Sequence, residues 1–223
     1  MRAVYHDELT GLVDTLVEMT NLAGSAMTRA TTALLDADRE LAETVIAADE
    51  RIDRLQRDLE ERSLQLLARQ QPVATDLRVV VTALRMSSSL ERMGDLARHV
   101  AKLARLRHPG AVVPVALRPT VLEMGQVAER IVAKAGSVIA TRDVDMAVQM
   151  ELDDDEMDRL HRAMFEQLLS DAWDHPTEVA VDLTLCSRYY ERFADHAVSV
   201  AKAVVFLVTG SHDEEDRGLP LVG

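Results

Sequence analysis

Leu90–Ala97 reads LERMGDLA, and Tyr190–Ala197 reads YERFADHA. Glu91-Arg92-x-x-Asp95 thus returns as Glu191-Arg192-x-x-Asp195, an offset of 100 residues. The apolar residues around each copy have the same spacing. Met86, Leu90, Met93, Ala97, Val100 and Ala104 alternate steps of four and three, and so do Cys186, Tyr190, Phe193, Ala197, Val200 and Val204. That alternation marks one face of a helix. Two long helices therefore carry one pattern twice, and the chain is a tandem repeat.

The repeat extends outward. Glu18-Met19 returns as Glu123-Met124 and Asp53-Arg54-Leu55 as Asp158-Arg159-Leu160, both offset by 105. The turn before the third helix is therefore about five residues shorter in the second copy. A first helix starts near His6, with Leu9, Leu12, Leu16, Met19, Ala23, Ala26, Ala30 and Ala33 on one face. Asp38 is placed to cap a second helix, whose stripe is Leu41, Val45, Ala48, Ile52, Leu55, Leu59 and Leu66. Gln71-Pro72 breaks that helix, and a third runs from about Val73 to Arg107. His108-Pro109-Gly110 through Pro114 reads as the linker. The expected fold is all-α: two tandem three-helix bundles made of six long helices. The expected boundaries are 1–108 for the first bundle, 109–117 for the linker, 118–210 for the second bundle and 211–223 for a polar tail.

Composition agrees. The 223 residues are 48% apolar but only 3% aromatic, with 9 Gly and 6 Pro. Sheets favour aromatic and β-branched residues with Gly/Pro turns, whereas this mixture suits long helices. Lys and Arg number 25 against 38 Asp and Glu, a net charge of −13. Binders of nucleic acid or anionic lipid usually carry the opposite sign, so neither is an expected partner. Cys186 is the only cysteine, which excludes a disulfide framework and a thiolate zinc site. Asp7 and Glu8 interrupt the start, so no signal peptide is expected there. The longest uncharged runs, such as Ala111–Leu117 and Ala203–Val208, are far too short to span a membrane. A cytoplasmic location is expected.

The residues that can carry chemistry are carboxylates. Each copy has a D-x-x-x-D in its middle helix, Asp49/Asp53 and Asp154/Asp158, and an E-x-x-x-D in its third, Glu91/Asp95 and Glu191/Asp195. Like charges four apart on a helix repel by roughly 0.2–0.5 kcal/mol. An unfavourable choice made in both copies suggests a nearby cation. Register points the same way: in an antiparallel hairpin turning at Pro72, or near Pro176, the two acid pairs of each copy come level. Four carboxylates on one patch suit a hard cation such as Mg²⁺, Mn²⁺, Ca²⁺ or oxidised iron. At roughly 100° per residue, Glu91 and Asp95 point away from the Met86–Ala104 stripe, and Asp49 and Asp53 flank theirs. The acids are therefore expected on the surface or along a groove, not in a core. Acids on an outer helix face are ordinarily just solvated, and only their repetition at matched register argues for more.

Other features are weaker. His99, one turn after Asp95, is a possible further ligand, but its counterpart is Ser199. The remaining acids between Glu151 and Asp158 read as a solvated helix start. Glu18 and Glu123 hint either at a first-helix contribution or at a structural ion pair. No phosphate-cradling glycine loop, nucleophile elbow or H-E-x-x-H motif is present.

The segment Gln71–Ala104, QPVATDLRVVVTALRMSSSLERMGDLARHVAKLA, resembles the signature of the PhoU family, Q-P-x-A-x-D-L-R followed by L-E-R-x-G-D-x-A. Ser187–Gly210, SRYYERFADHAVSVAKAVVFLVTG, resembles that family's closing motif. The resemblance covers essentially the whole chain and is to actinobacterial members in particular. It implies the same two three-helix bundles and a regulatory role. Members are cytoplasmic accessory proteins of the phosphate ABC transporter. They link its ATPase subunit to a phosphate-sensing histidine kinase, and they restrain phosphate uptake and the starvation response. The resemblance also implies metal clusters on E(D)-x-x-x-D motifs, here Asp49, Asp53, Glu91 and Asp95, and Asp154, Asp158, Glu191 and Asp195. The metal is left among iron, manganese, magnesium and zinc. Gly94 keeps the family's glycine, while Ala194 departs from it, which leaves room for the two sites to differ in metal or occupancy. A homodimer is expected, and contact with the membrane only through the transporter.

Two alternatives belong to other classes. A di-iron carboxylate oxidase needs a Glu-x-x-His pair from each of two inward-facing helices, but Gly94 and Ala194 stand where the histidines would be. A helical scaffold or chaperone would use no metal and would leave the phosphate response unchanged when deleted.

Overall fold

The computed structural model describes residues 2–211. Its six long helices are α1 (Arg2–Asp36), α2 (Arg39–Gln70), α3 (Ala74–Arg107), α4 (Arg118–Thr141), α5 (Val144–Leu168) and α6 (Thr177–Thr209). A single 3₁₀ turn, Val115–Leu117, leads into α4. No strand occurs among the described residues. The all-α fold of two three-helix units is as expected. Helix α1 begins at Arg2 rather than near His6, and residues 212–223 of the expected polar tail lie outside the described residues.

Local chemistry sets the helix ends. The Asp38 carboxylate accepts a hydrogen bond from the Leu41 N–H at 2.9 Å, and Asp143 does the same for Met146 at 2.9 Å. Each satisfies a backbone donor that the first turn leaves unpaired, and the two caps occupy equivalent places in the repeat. At the other end of the chain, Gly210 adopts φ 78 and closes α6, its N–H bonded to the Phe206 carbonyl at 2.8 Å. The left-handed conformation costs glycine nothing.

The expected stripes are buried in α1, α3 and α6, with one slip: Met27 is fully buried where Ala26 is only partly so. In α2 the expectation fails at Ala48, and Leu41 and Leu55 are only partly buried. Ala48 is exposed, and the buried run is Ala42, Val45, Asp49, Ile52, Leu59, Ser63 and Leu66. Steps of three-then-four and four-then-three both fit a helical face, and an aspartate occupies the true one.

The two bundles share one continuous core. Helices α3 and α6 lie antiparallel. Arg107 at the end of α3 bonds Asp182 at 2.5 Å and also pairs with Glu178, both early in α6. The His99 ring stacks on Tyr189 at 5.2 Å, and Arg85 lies 5.8 Å from the centre of the Phe206 ring. Helices α1 and α4 are antiparallel too. Gly125 lies against Thr31 so closely that a Cβ would fall 2.7 Å from Thr31 Cγ2, and Gly136 similarly faces Thr20. The Thr31 hydroxyl also meets the buried Tyr190 hydroxyl at 2.7 Å, tying α1 to α6. Equivalent helices thus pair with each other, so an approximate two-fold axis relates the bundles. Helices α2 and α5 pack on the outside, α2 against α1 and α3, α5 against α4 and α6.

Candidate functional site

The register argument places each acid pair of an outer helix beside the pair of its neighbour, and the electrostatics agree. Asp49 on α2 is repelled by Asp53 and by Asp95 on α3, and Glu91 by Asp95, Asp53 and Asp49. Asp154 on α5 is repelled by Asp195, Asp158 and Glu191. All eight carboxylates therefore gather as two sets of four, in the α2/α3 groove and the α5/α6 groove.

Burial corrects the sequence picture. Asp49 does not flank its stripe. It lies on it, with only 4% of its surface exposed. Gly94 is what admits it: a Cβ there would stand 3.1 Å from Asp49 Oδ1 and 2.8 Å from Ile52 Cδ1. The glycine lets α2 settle onto α3 and draws the carboxylate inward. Ala194 carries a buried methyl at the equivalent point, and Asp154 is only partly buried.

Burial penalises charge, and it is the main reason Asp49, Glu91, Asp154 and Glu191 hold their protons more tightly. It raises Asp49, with Arg98 opposing the shift and Asp53 and Asp95 adding to it. Burial also raises Glu91 and Glu191, each aided by the aspartate one turn on. In Asp154 burial acts with four carboxylates, Asp195, Asp158, Glu191 and Asp155, and the group is pushed up to about 6.

The cations around the two sets differ. In the first, Arg98 reaches Asp49 Oδ2 through Nη1 at 2.5 Å and bonds Asp95 through Nη2. Arg92 approaches Asp95 from outside at 3.0 Å. In the second, Val198 stands where Arg98 stands in the first. Only rim arginines take part: Arg188 bonds Glu191, and Arg192 bonds Asp195 at 3.0 Å. Asp154 Oδ1 and Glu191 Oε2 are buried without a hydrogen-bond partner, and so is Asp49 Oδ2 in the first set, which Arg98 meets as an ion pair only. Arg98 was legible only by reading the two copies against each other, where arginine opposes valine.

As the side chains lie, no group of three or more His, Cys, Asp or Glu among the described residues is disposed to hold a metal ion. The donor chemistry still suits one. The oxygens are hard, and three of them, one in the first set and two in the second, are buried without a hydrogen bond, which a cation would relieve. The secondary candidates resolve differently. His99 stacks on Tyr189 instead of turning to the acids. Glu18 pairs with Arg51 at 2.5 Å and Glu123 with Arg159 at 3.0 Å, the structural ion-pair reading. The acids near Glu151 sit mid-helix, not at a helix start. Glu151, Asp153 and Glu156 pair with Lys202, Lys134 and Arg130.

The profile of the PhoU domain matches twice, over residues 16–104 and 121–204. The chain belongs to the PhoU family. It is 49% identical over 216 residues to the phosphate-specific transport system accessory protein PhoU homolog 1 of Mycobacterium leprae, covering 97% of each chain. It is 49% identical over 211 residues to PhoU homolog 2 of Mycobacterium tuberculosis, covering 95% of this chain and 99% of that one. The crystal structure of PhoU from Pseudomonas aeruginosa superposes with a TM-score of 0.84 at 28% identity, over 93% of this chain and all of that one. The phosphate transport system regulatory protein PhoU of Streptococcus pneumoniae, 23% identical with a TM-score of 0.85 over 94% of this chain and 99% of that one, shares the fold. No helix among the described residues is long and apolar enough to cross a membrane.

Proposed function

We propose that this chain is a non-enzymatic, cytoplasmic regulator of phosphate uptake. It docks on the ATPase subunit of a phosphate ABC transporter and passes the transporter's state to a phosphate-sensing histidine kinase, holding the starvation response off when phosphate is ample. The observation that carries this reading is full-length similarity to proteins named as phosphate transport accessory proteins. The acidic surface suits basic patches on partners and speeds encounter with them. A homodimer is part of the proposal, to be checked by solution mass.

Metal belongs to the same reading. Asp49, Asp53, Glu91 and Asp95, and Asp154, Asp158, Glu191 and Asp195, would hold hard cations such as iron, manganese or magnesium. A bound cation would offset the repulsion within each set. The chain's own part is to bring the oxygens level and half-bury them. Verified removal of metal from native protein is expected to lower the melting temperature, since a ligand bound only to the folded state stabilises it. An unchanged melting curve counts against metal.

The decisive experiment pairs a deletion strain carrying a phosphate-regulated reporter with a pull-down from phosphate-replete cells. Deletion is expected to release the starvation response. Glu91→Ala/Asp95→Ala is expected to reduce capture of the transporter or kinase. A reporter unaffected by deletion sinks the regulatory reading.

A further inference from the structure

The two ends of the molecule are finished differently. At one end the linker crosses from α3 to α4 past the end of α1. His108 Nδ1 lies 3.1 Å from the Ala37 carbonyl, and the Arg118 guanidinium bonds the Leu35 carbonyl. Val112, Val113 and Leu117 are buried there and seal the core. At the α1-to-α4 offset of 105, Leu35 and Ala37 correspond to Ala140 and Arg142, and Arg118 to Val13. Ala37 and Arg142 even share a left-handed backbone, φ 52 and φ 57. At the opposite end Val13, Ala140 and Arg142 line a cleft of about 600 Å³, together with Val17 of α1 and Val79 of α3. Val13 and Val17 are only partly buried at the edge of the core. The first end thus has the linker's seat, and among the described residues that seat is an open cleft.

Helix α6 ends at this cleft as α3 ends at the other. Gly210 approaches α3 so closely that a Cβ would fall 2.7 Å from Arg78 Nη1, and Arg78 bonds Thr75 of the cleft wall at 3.3 Å. Beyond Ser211 the sequence runs through seven residues, 212–218, to Leu219-Pro220-Leu221-Val222. The linker likewise sets apolar residues about a proline, Val112-Val113-Pro114-Val115. Residues in extended chain advance about 3.3–3.6 Å each, so the apolar group has ample reach to a cleft whose wall begins beside Gly210.

We infer that Leu219, Pro220, Leu221 and Val222 fold back into this cleft of their own chain, closing the first end as the linker closes the second. The driving force is burial of the leucine and valine side chains against Val13, Val17 and Val79. The cleft is in the size range that takes a drug-sized molecule, room for a few apolar side chains. Pro220 restricts the segment before it docks and lowers the entropy lost. A flexible tether presents the segment to its own cleft at an effective concentration of order mM, so a contact too weak to hold between separate molecules is populated within one. The cleft is thereby an interaction surface for a short apolar segment, and it is independent of the acid sets.

The test is methyl NMR on the full chain with labelled leucine and valine. Nuclear Overhauser contacts are expected from the methyls of Leu219, Leu221 and Val222 to those of Val13, Val17 and Val79. Leu219→Ser/Leu221→Ser should abolish them, shift the cleft methyls and lower the melting temperature by about 2–4 °C. Those substitutions remove no side chain of the described core, so the variant keeps its helices. A sample mixed from two differently labelled chains shows whose segment is bound, and the contacts are expected to be absent between unlike labels. Contacts seen only between unlike labels would put a second copy's segment in the cleft and overturn the inference. So would contacts to a different surface, or cleft methyls whose shifts are the same in wild type and variant.

Discussion

In the first bundle a glycine sinks Asp49 under α3 and an arginine from the same helix neutralises it. In the second, alanine and valine occupy those two positions, Asp154 stays nearer the surface, and its charge is met from inside by nothing. Four carboxylates in one groove are a fixed problem of like charge. The molecule meets it in the first groove with an arginine that bridges Asp49 and Asp95, and in the second only with arginines at the rim. The close approach allowed by Gly94 and the reach of Arg98 go together, because a carboxylate that deep cannot remain charged unpaired.

Arg98→Ala should break this contrast most strongly, costing about 3 kcal/mol in urea unfolding, because it strands the buried Asp49 charge. Val198→Ala removes only methyl groups and should cost about 1 kcal/mol. Equal losses would show that the two grooves are not distinguished by charge. Gly94→Leu comes next, at about 2 kcal/mol, because its side chain meets Ile52 and Asp49. Ala194→Gly should cost about 1 kcal/mol, through helix propensity. If Gly94→Leu were harmless, the glycine would not be what admits α2.

The third prediction has the opposite sign. The Asp154 carboxyl sits near 6 in the folded protein against 3.8 unfolded, so its ionised form weakens the fold. That penalty is complete above pH 6, shrinks as the pH falls and is gone below about 4. Metal-free Asp154→Asn should therefore be more stable than wild type at pH 7.5, by on the order of 1–2 kcal/mol after solvent screening. Melting curves across pH should converge near pH 4, and a constant difference would remove the titration as its cause. Smallest and most alike are the caps: Asp38→Ala and Asp143→Ala should each cost about 1 kcal/mol, a check that the halves match where the contrast predicts they should.

Much of this was readable from residues alone. The stripes of α3 and α6 are regular enough to define a helix and its repeat, and the Asp38 cap follows from one side chain and its place. The levelling of the acid pairs follows from counting residues on either side of a turn. Asp49 escaped because Ala48 satisfies the same helical period with an apolar side chain, and pattern reading favours the apolar one. The antiparallel pairing of α3 with α6 and of α1 with α4 escaped for another reason. Those helices are apolar on more than one face, and a stripe does not say which neighbour it meets. Arg98 drew no notice for a related reason: with Asp49 read as flanking its stripe, nothing in the sequence marked a buried partner for it.

The approximate two-fold axis has a further consequence. Were each half a separate chain, two copies would assemble about that axis, and every residue would appear in both halves. One chain running through the 3₁₀ turn at Val115–Leu117 into α4 removes that constraint. A substitution is then made once, so an arginine can enter one half while valine stays in the other. Covalent linkage of the bundles is what permits a two-fold molecule to have two different ends.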